Sequence, residues 1–180
     1  MTNRQTQIIA AAIPLFLREG VGVSTARIAK EAGVSNGTLF NAFATKQDLI
    51  DAIYRSTKGA MFAAMQPPGD APFDLPQMRA NWAGYLAWAR ADPDAHRVMH
   101  LLLRSGLASP KVKAEIDTLA APHAQNLITA MERGTIRGPT VAFVADLIFA
   151  QIDLVIDHNL TGADETLAFD MLCNTIGLTP

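Results

Sequence analysis

The chain has 180 residues, enough for one sizeable domain or for a small domain joined to a larger one, each with its own buried core. Its single cysteine, Cys173, excludes an intramolecular disulfide framework and fits a reducing, cytoplasmic setting. The N-terminus is a poor signal peptide, and Asp146, Gln151 and Asp153 interrupt the most apolar stretch, so neither secretion nor a membrane partner is predicted.

The formal net charge of -2 is unevenly distributed along the chain. Residues 1–58 contain seven Lys and Arg against four Asp and Glu, a balance of +3, which leaves -5 for the remaining residues. A small basic module joined to an acidic body is expected when only one end of a protein approaches a polyanion.

Apolar residues recur at helical spacing along almost the whole chain, so the fold class is predicted to be all-α. Ile8, Ala12 and Leu15 lie on one face of the first predicted helix. This helix covers residues 2–19, and Pro14 within it is expected to introduce a kink.

Two short helices joined by a tight glycine turn follow the first helix. Ser24 or Thr25 is a good N-cap for the second helix, and Gly33 is expected to end it in a left-handed conformation. Ser35 then caps the third helix. These two helices are predicted over residues 25–32 and 36–43.

A longer fourth helix is expected to begin at Thr45, which resembles the first residue of a capping box completed by Asp48, and to end near residue 65. The proline-rich segment 66–76 is predicted to be a loop. Five more helices, with Pro or Gly near their ends, are predicted over 75–91, 93–107, 110–134, 139–160 and 163–176.

The third helix has the features that a major-groove reader needs. The groove is ~12 Å wide and admits one helix, so base-reading residues must lie on its exposed N-terminal face. Polar residues such as Asn36 and Asn41 are placed to do so, while Leu39 and Phe43 can pack inward. On composition alone, a solvated polar face in a helical bundle is an equal alternative.

Several sequence elements coincide at fixed spacing within residues 8–54. They are Leu15-Phe16, Gly20, Ser24-Thr25, Ile28-Ala29, Ala32-Gly33-Val34-Ser35, Gly37-Thr38-Leu39-Phe40, Phe43, Lys46 and Leu49. In these elements the chain resembles the DNA-binding domain of the tetracycline-repressor (TetR) family of regulators. The resemblance implies a helix-turn-helix DNA-binding domain over residues 1–46 and a helical ligand-binding and dimerisation domain over residues 47–180.

The resemblance also implies how this domain would meet double-stranded operator DNA. It places residues 35–41 in the major groove and the other DNA-binding residues near the phosphate backbone. Where the family usually has Tyr-Tyr-His-Phe, this chain has Phe40-Asn41-Ala42-Phe43, so a hydroxyl that commonly contacts a phosphate is absent at Phe40. The implied DNA-binding residues are Thr25, Arg27, Ser35, Asn36, Gly37, Thr38, Phe40, Asn41 and Lys46.

The rest of the chain is expected to bind a small, largely apolar effector, because it is rich in large, adaptable side chains suited to an apolar cavity. Ordinary core packing is the alternative for any one of these residues. The candidates are Met61, Met65, Trp82, Tyr85, Met99, His100, Leu103, Arg104, His123 and Asn126.

The predicted helix over 139–160 is apolar on nearly every face, so one row of side chains can face the core and another can face a partner. Phe143, Leu147 and Leu154 form the second row. Together with the last helix it could build a two-fold four-helix interface of a homodimer, which the resemblance also implies. The predicted interface residues are Val141, Val144, Ile148, Ile152, Val155, Leu167 and Met171.

Two other functions compete with a ligand-responsive repressor. A helical DNA-binding protein without an effector would have a filled core where a sensor needs a cavity. A metal-dependent enzyme could use His96 and His100, which have a zinc-ligand spacing, or a cluster of Asp153, Asp157 and His158. The sequence contains no complete ligand motif, phosphate loop or nucleophile elbow, so a protein that is not an enzyme and needs no cofactor is predicted.

Overall fold

The computed structural model describes residues 1–65 and 73–178. These residues form helices and no strands, which confirms the predicted all-α class. Each predicted helix is present, and its ends differ from the predicted ones by at most three residues. The helices are α1 (Asn3–Glu19), α2 (Thr25–Glu31), α3 (Asn36–Ala42), α4 (Lys46–Ala64), α5 (Leu75–Ala91), α6 (Pro93–Ser105), α7 (Pro110–Glu132), α8 (Val141–Asp157) and α9 (Gly162–Ile176).

The predicted loop over 66–76 lies largely outside the described residues, and α5 begins within its last part. No helix in the described ranges is both long enough and apolar enough to cross a membrane.

Capping boxes fix the starts of α1 and α4. The predicted box before α4 is confirmed, since Thr45 N donates to Asp48 Oδ2 at 2.9 Å and Asp48 N donates to Thr45 Oγ1 at 3.0 Å. A second box, between Thr2 and Gln5, begins α1. This second box was not predicted, although its sequence signal is a glutamine three residues after a threonine.

The described residues pack as two compact units. The first unit contains residues 1–59 and 92–116, and the second contains the described residues of 60–91 and 117–180. Helices α4 and α7 each run from one unit into the other without a break. The predicted boundary at residue 46 separates a DNA-binding region from a ligand-binding region, and it does not coincide with the boundaries of the two compact units. This division by function stays a prediction.

In the first unit α1 packs against α2, α3 and α6. Helix α1 continues through Pro14. The apolar face predicted for α1 is buried, and so are the side chains that meet it from the other helices of this unit. Its core includes Ile8, Ala12, Leu15, Phe16, Ile28, Leu39, Leu49, Ile53, Val98 and Leu102.

In the second unit α5 packs against α8 and α9, and α8 packs against α9. Trp82 of α5 and Phe169 of α9 lie edge to face, with ring centroids 5.4 Å apart. Tyr85 is also buried, and burial together with the nearby Asp153 carboxylate raises the pKa of its phenol. Aromatic side chains therefore supply much of the packing in this unit.

A polar cluster in the first unit joins α4 to the start of α7. The Asp51 carboxylate accepts hydrogen bonds from Ser109 N at 3.0 Å, from Ser109 Oγ and from Gln47 Nε2 at 2.8 Å. One turn later on α4, Arg55 Nε donates to Glu115 Oε2 at 2.7 Å. Ser109 also caps α7, so Asp51 holds the residue at which that helix begins.

We expect the stability of the fold to decrease as the pH falls through the pKa of Asp51. Burial raises the pKa of this carboxyl, but hydrogen bonds from Ser109 and Gln47 and the charge of Arg55 outweigh it, so the pKa lies below its ordinary value of 3.8. Because the folded pKa is the lower one, the stabilisation is complete above the ordinary value and is lost as the pH falls through the folded value.

The matched variant for this prediction is Asp51→Asn, which keeps the shape of the side chain and removes its charge. At neutral pH we expect it to lower the free energy of unfolding by about 1 kcal/mol. Denaturant unfolding of both proteins from neutral pH down to about pH 3 should show the difference shrinking at the acid end. A difference that stays constant over this range would contradict the assignment.

Candidate nucleic-acid interface and ligand cavity

The turn between α2 and α3 has the predicted glycine geometry. Gly33 has a φ of +64°, a left-handed conformation that glycine adopts at little cost. The N–H of Gly33 donates to Lys30 O at 3.1 Å, and the N–H of Val34 donates to Ala29 O at 2.9 Å, so both close the end of α2. Ser35 Oγ then accepts from Thr38 N at 3.1 Å and caps α3.

Helix α3 has one inward and one outward face. Leu39 is fully buried and Phe43 is 5% exposed, so both pack inward as predicted. Phe40 is 46% exposed, which puts an aromatic ring on the outward face among small polar side chains. The outward residues Ser35, Asn36, Gly37 and Asn41 are exposed, and Thr38 is half-buried.

Two glutamines of α1 support the ends of the short helices. Gln5 Nε2 donates to Ala42 O at 3.2 Å, and Gln7 Nε2 donates to Ala32 O at 2.8 Å. These bonds satisfy carbonyl groups that a helix leaves without an internal partner. Neither glutamine was predicted, because a bond from a side chain to a distant backbone carbonyl leaves no local pattern in the sequence.

The basic side chains beside α3 differ in their pairing. Arg27 is exposed enough to reach DNA, but its guanidinium pairs with Glu31 at 2.8 Å and with Glu19 at 3.6 Å. Lys30 and Lys46 form no ion pair within residues 1–65 and 73–178. Lys30 was missed, although its place three residues after Arg27 on α2 was a signal for it. Thr25 is half-buried in the first turn of α2.

The second unit contains a cavity of about 290 Å³. Its walls come from the end of α4 and from α5, α7 and α8, and the lining residues that the structure describes include no Asp, Glu, Lys or Arg. Of the predicted ligand-binding residues, Met65, Trp82, His123 and Asn126 line this cavity.

The other six predicted ligand-binding residues lie elsewhere. Met61 and Tyr85 are buried in the second unit without lining the cavity. Met99, His100, Leu103 and Arg104 all belong to α6 in the first unit. Met99 is core there and Leu103 is 50% exposed. None of these six therefore takes part in this cavity.

Few polar groups reach the cavity. The His123 ring lies 5.3 Å from that of Phe62, and burial lowers the pKa of its imidazole. Asn126 Nδ2 donates to Gln77 Oε1 at 2.9 Å. Among the described lining residues, Asn81 also has a polar side chain.

The two apolar rows of α8 differ in burial. Val144, Ile152 and Val155 of the predicted interface row are buried in their own unit. Val141 and Ile148 of the same row line the cavity. The interface prediction therefore needs a correction, since buried side chains offer no surface to a partner. The large exposed apolar residues of α8 and α9 are Phe143, Leu154, Leu167 and Met171, of which only the last two were in the prediction.

Known proteins resemble this chain in two ways: a family model matches its N-terminal residues, and solved structures match nearly its whole length. Residues 8–53 match the family of bacterial regulatory proteins described as the tetR family. A crystal structure of a candidate tetR family transcription regulator from Shewanella sp. PV-4 is 24% identical, with a TM-score of 0.83 over 97% of this chain and 98% of that one. A TetR family transcription regulator from Marinobacter aquaeolei VT8 is 20% identical, with a TM-score of 0.81 over 96% and 95% of the two chains.

A third similar structure is a bacterial regulatory protein of the tetR family from Rhodococcus RHA1. It is 20% identical, and the match covers 100% of both chains with a TM-score of 0.78. At these identities the likeness shows the fold of the chain, and the match to the tetR family model covers residues 8–53. The resemblance noted in the sequence is confirmed for residues 8–53, which match the tetR family of bacterial regulatory proteins.

Proposed function

We propose that this protein is a homodimeric repressor that leaves its operator DNA when a small, largely apolar effector binds. The observation that carries the proposal is that one chain combines an exposed, polar α3 face with an apolar cavity of about 290 Å³ in the other unit. A DNA-binding protein without an effector would not need this cavity, because a filled core is more stable than one with a void.

Helix α3 is the proposed reader of the major groove. Ser35, Asn36, Gly37, Thr38, Phe40 and Asn41 would face the base edges, while Thr25, Arg27 and Lys46 would contact phosphates. The Arg27 guanidinium has to leave Glu31 and Glu19 to reach a phosphate. Lys46 has no such cost, so we expect it to be the stronger phosphate contact.

The exposed apolar row of α8 and α9 is the proposed dimer interface. Phe143, Leu154, Leu167 and Met171 are each more than half exposed, and large exposed apolar side chains on neighbouring helices are typical of a surface that binds a partner. In a two-fold interface each residue makes its contacts once from each protomer. A single substitution therefore changes the free energy of dimerisation twice over.

We therefore expect Leu154→Ala to weaken the dimer by at least about tenfold, which corresponds to roughly 1.4 kcal/mol. Sedimentation over a range of protein concentrations measures the dimer dissociation constant. The matched control is Leu119→Ala, because Leu119 is an exposed leucine of α7 outside this row. If both substitutions changed the dimer dissociation constant equally, the interface would not be formed by this row of α8 and α9.

Release by an effector requires that the effector prefers the conformation that does not bind DNA. A ligand with equal affinity for both conformations shifts nothing, however tightly it binds. Helices α4 and α7 supply the covalent path, because each contributes residues to the cavity lining and continues into the first unit. A movement of α4 would change the separation of the two α3 helices in the dimer.

The test is binding of the purified protein to the DNA that flanks its own gene, with random DNA of the same length as the control. We expect a specific complex that weakens steeply as the salt concentration rises. Apolar compounds are then screened for release of this complex. A complex that no compound releases would favour the alternative of a DNA-binding protein without an effector.

A further inference from the structure

We propose, on the basis of the function proposed above, that the cavity of the second unit takes an uncharged aromatic molecule of about two fused rings, with one hydrogen-bonding group that meets His123. Four properties of the cavity support this inference: its volume, its aromatic lining, the lack of charged side chains among its described lining residues, and the hydrogen-bonding groups of His123.

The volume of the cavity limits the size of the ligand. An apolar cavity of ~150 Å³ in a protein core holds one benzene molecule. The cavity here measures about 290 Å³, roughly twice that volume. A ligand of two fused rings therefore fits, whereas a single ring would leave much of the space empty.

Aromatic rings line the cavity on several sides. Phe62 comes from α4, Trp82 from α5 and Phe149 from α8, so rings approach the space from three helices. Aromatic rings gain about 0.5–1.5 kcal/mol from stacked or edge-to-face pairing beyond the apolar area that they bury. These walls favour a flat aromatic ligand over an aliphatic chain of equal volume.

The lining excludes a charged ligand. None of the described residues that line the cavity is Asp, Glu, Lys or Arg, so this part of the wall offers no charge that would neutralise a carboxylate, a sulfonate or an ammonium group. Moving an ion out of water without a partner costs far more than its apolar part regains.

His123 is a polar lining residue that can form a hydrogen bond with a ligand. The amide nitrogen of Asn126 already donates to Gln77, whereas no hydrogen bond to a ring nitrogen of His123 forms within the described parts of the chain. Burial lowers the pKa of His123, so its imidazole is neutral at neutral pH and offers one donor and one acceptor. A phenolic hydroxyl or a ring carbonyl would complete the bond.

The test uses the full-length protein and four probes: naphthol, naphthalene, naphthalenesulfonate and decanol. Calorimetry should show that naphthol binds about 2–10-fold tighter than naphthalene, which is the value of one neutral hydrogen bond. Naphthalenesulfonate should bind at least about a hundredfold more weakly than naphthol, and decanol should also bind more weakly. Failure of naphthol to bind, or equal binding of the sulfonate, would overturn the inference.

The variant His123→Phe keeps a ring beside Phe62 and removes the hydrogen bond. It should lower the affinity for naphthol to that for naphthalene and leave the affinity for naphthalene unchanged. A naphthol preference that survives in this variant would overturn the role of His123. If the variant does not fold, the comparison of naphthol with naphthalene on the unmodified protein still decides whether a hydrogen bond is made.

An operator-release assay separates this inference from the proposed function. Naphthol that binds without changing operator affinity would support the ligand class and contradict release by an effector. Release of the operator by a charged or aliphatic compound, with no binding of naphthol, would support the regulator and overturn the ligand class.

Discussion

Replacing Leu39 by alanine should lower the free energy of unfolding by about 2–5 kcal/mol and abolish operator binding with it. Leu39 is fully buried on α3, which packs against α1 and α2 in the first unit. Truncation would leave a void among well-packed side chains that also include Phe16 and Ile28. Denaturant unfolding followed by circular dichroism measures the loss, because both tryptophans lie outside the first unit.

The neighbouring residue provides the matched control. Phe40 has a larger apolar side chain but is 46% exposed, so Phe40→Ala should change the stability by no more than about 0.5 kcal/mol. It should nevertheless weaken operator binding, since Phe40 lies on the outward face of α3. If both variants lost the same stability, the assignment of inward and outward faces on α3 would be wrong.

Replacing Asn41 by alanine should weaken operator binding by about 1–3 kcal/mol, or about 5–150-fold, while binding to random DNA stays nearly constant. Asn41 is exposed on α3, and its amide forms no hydrogen bond to any described residue, so donor and acceptor can both face a base edge. Asparagine pairs with adenine in this way. Competition assays with single-base operator variants should show that the preference at one position is relaxed.

Lys46→Ala tests the other kind of contact. It should weaken binding to the operator and to random DNA alike, and reduce the slope of log affinity against log salt by about 1. Unchanged operator affinity and base preference in Asn41→Ala would remove its assigned reading role. A sequence-dependent effect of Lys46→Ala would likewise contradict a contact with phosphate alone.

Local signals were sufficient for the helices and for the glycine turn. Gly33, the Ser35 cap and the Thr45–Asp48 box each depend on neighbours a few residues away, so the sequence predicts them directly. The inward position of Leu39 followed from the helical period alone. The family match then covered the same segment.

The cavity and the interface could not be predicted in the same way. Helix α8 is apolar on nearly every face, so its periodicity does not show that the row containing Val144 is buried and that Leu154 is exposed. Met65 and Met99 are chemically alike, yet one lines the cavity and the other is core of the first unit. The Arg27 ion pair with Glu19 and the bonds from Gln5 and Gln7 depend on tertiary packing that a single sequence does not contain.

The first compact unit is discontinuous in sequence, and this limits how its DNA specificity can be transferred. Residues 92–116 pack with residues 1–59, through α1 against α6 and through Asp51 against Ser109. A chimera that joins residues 1–46 to the body of a relative would separate α1 from the α6 with which it packs, and its cut would lie within the first turn of α4. To transfer the proposed DNA-reading unit to another protein, by recombination or by design, residues 1–59 and 92–116 therefore have to be transferred together.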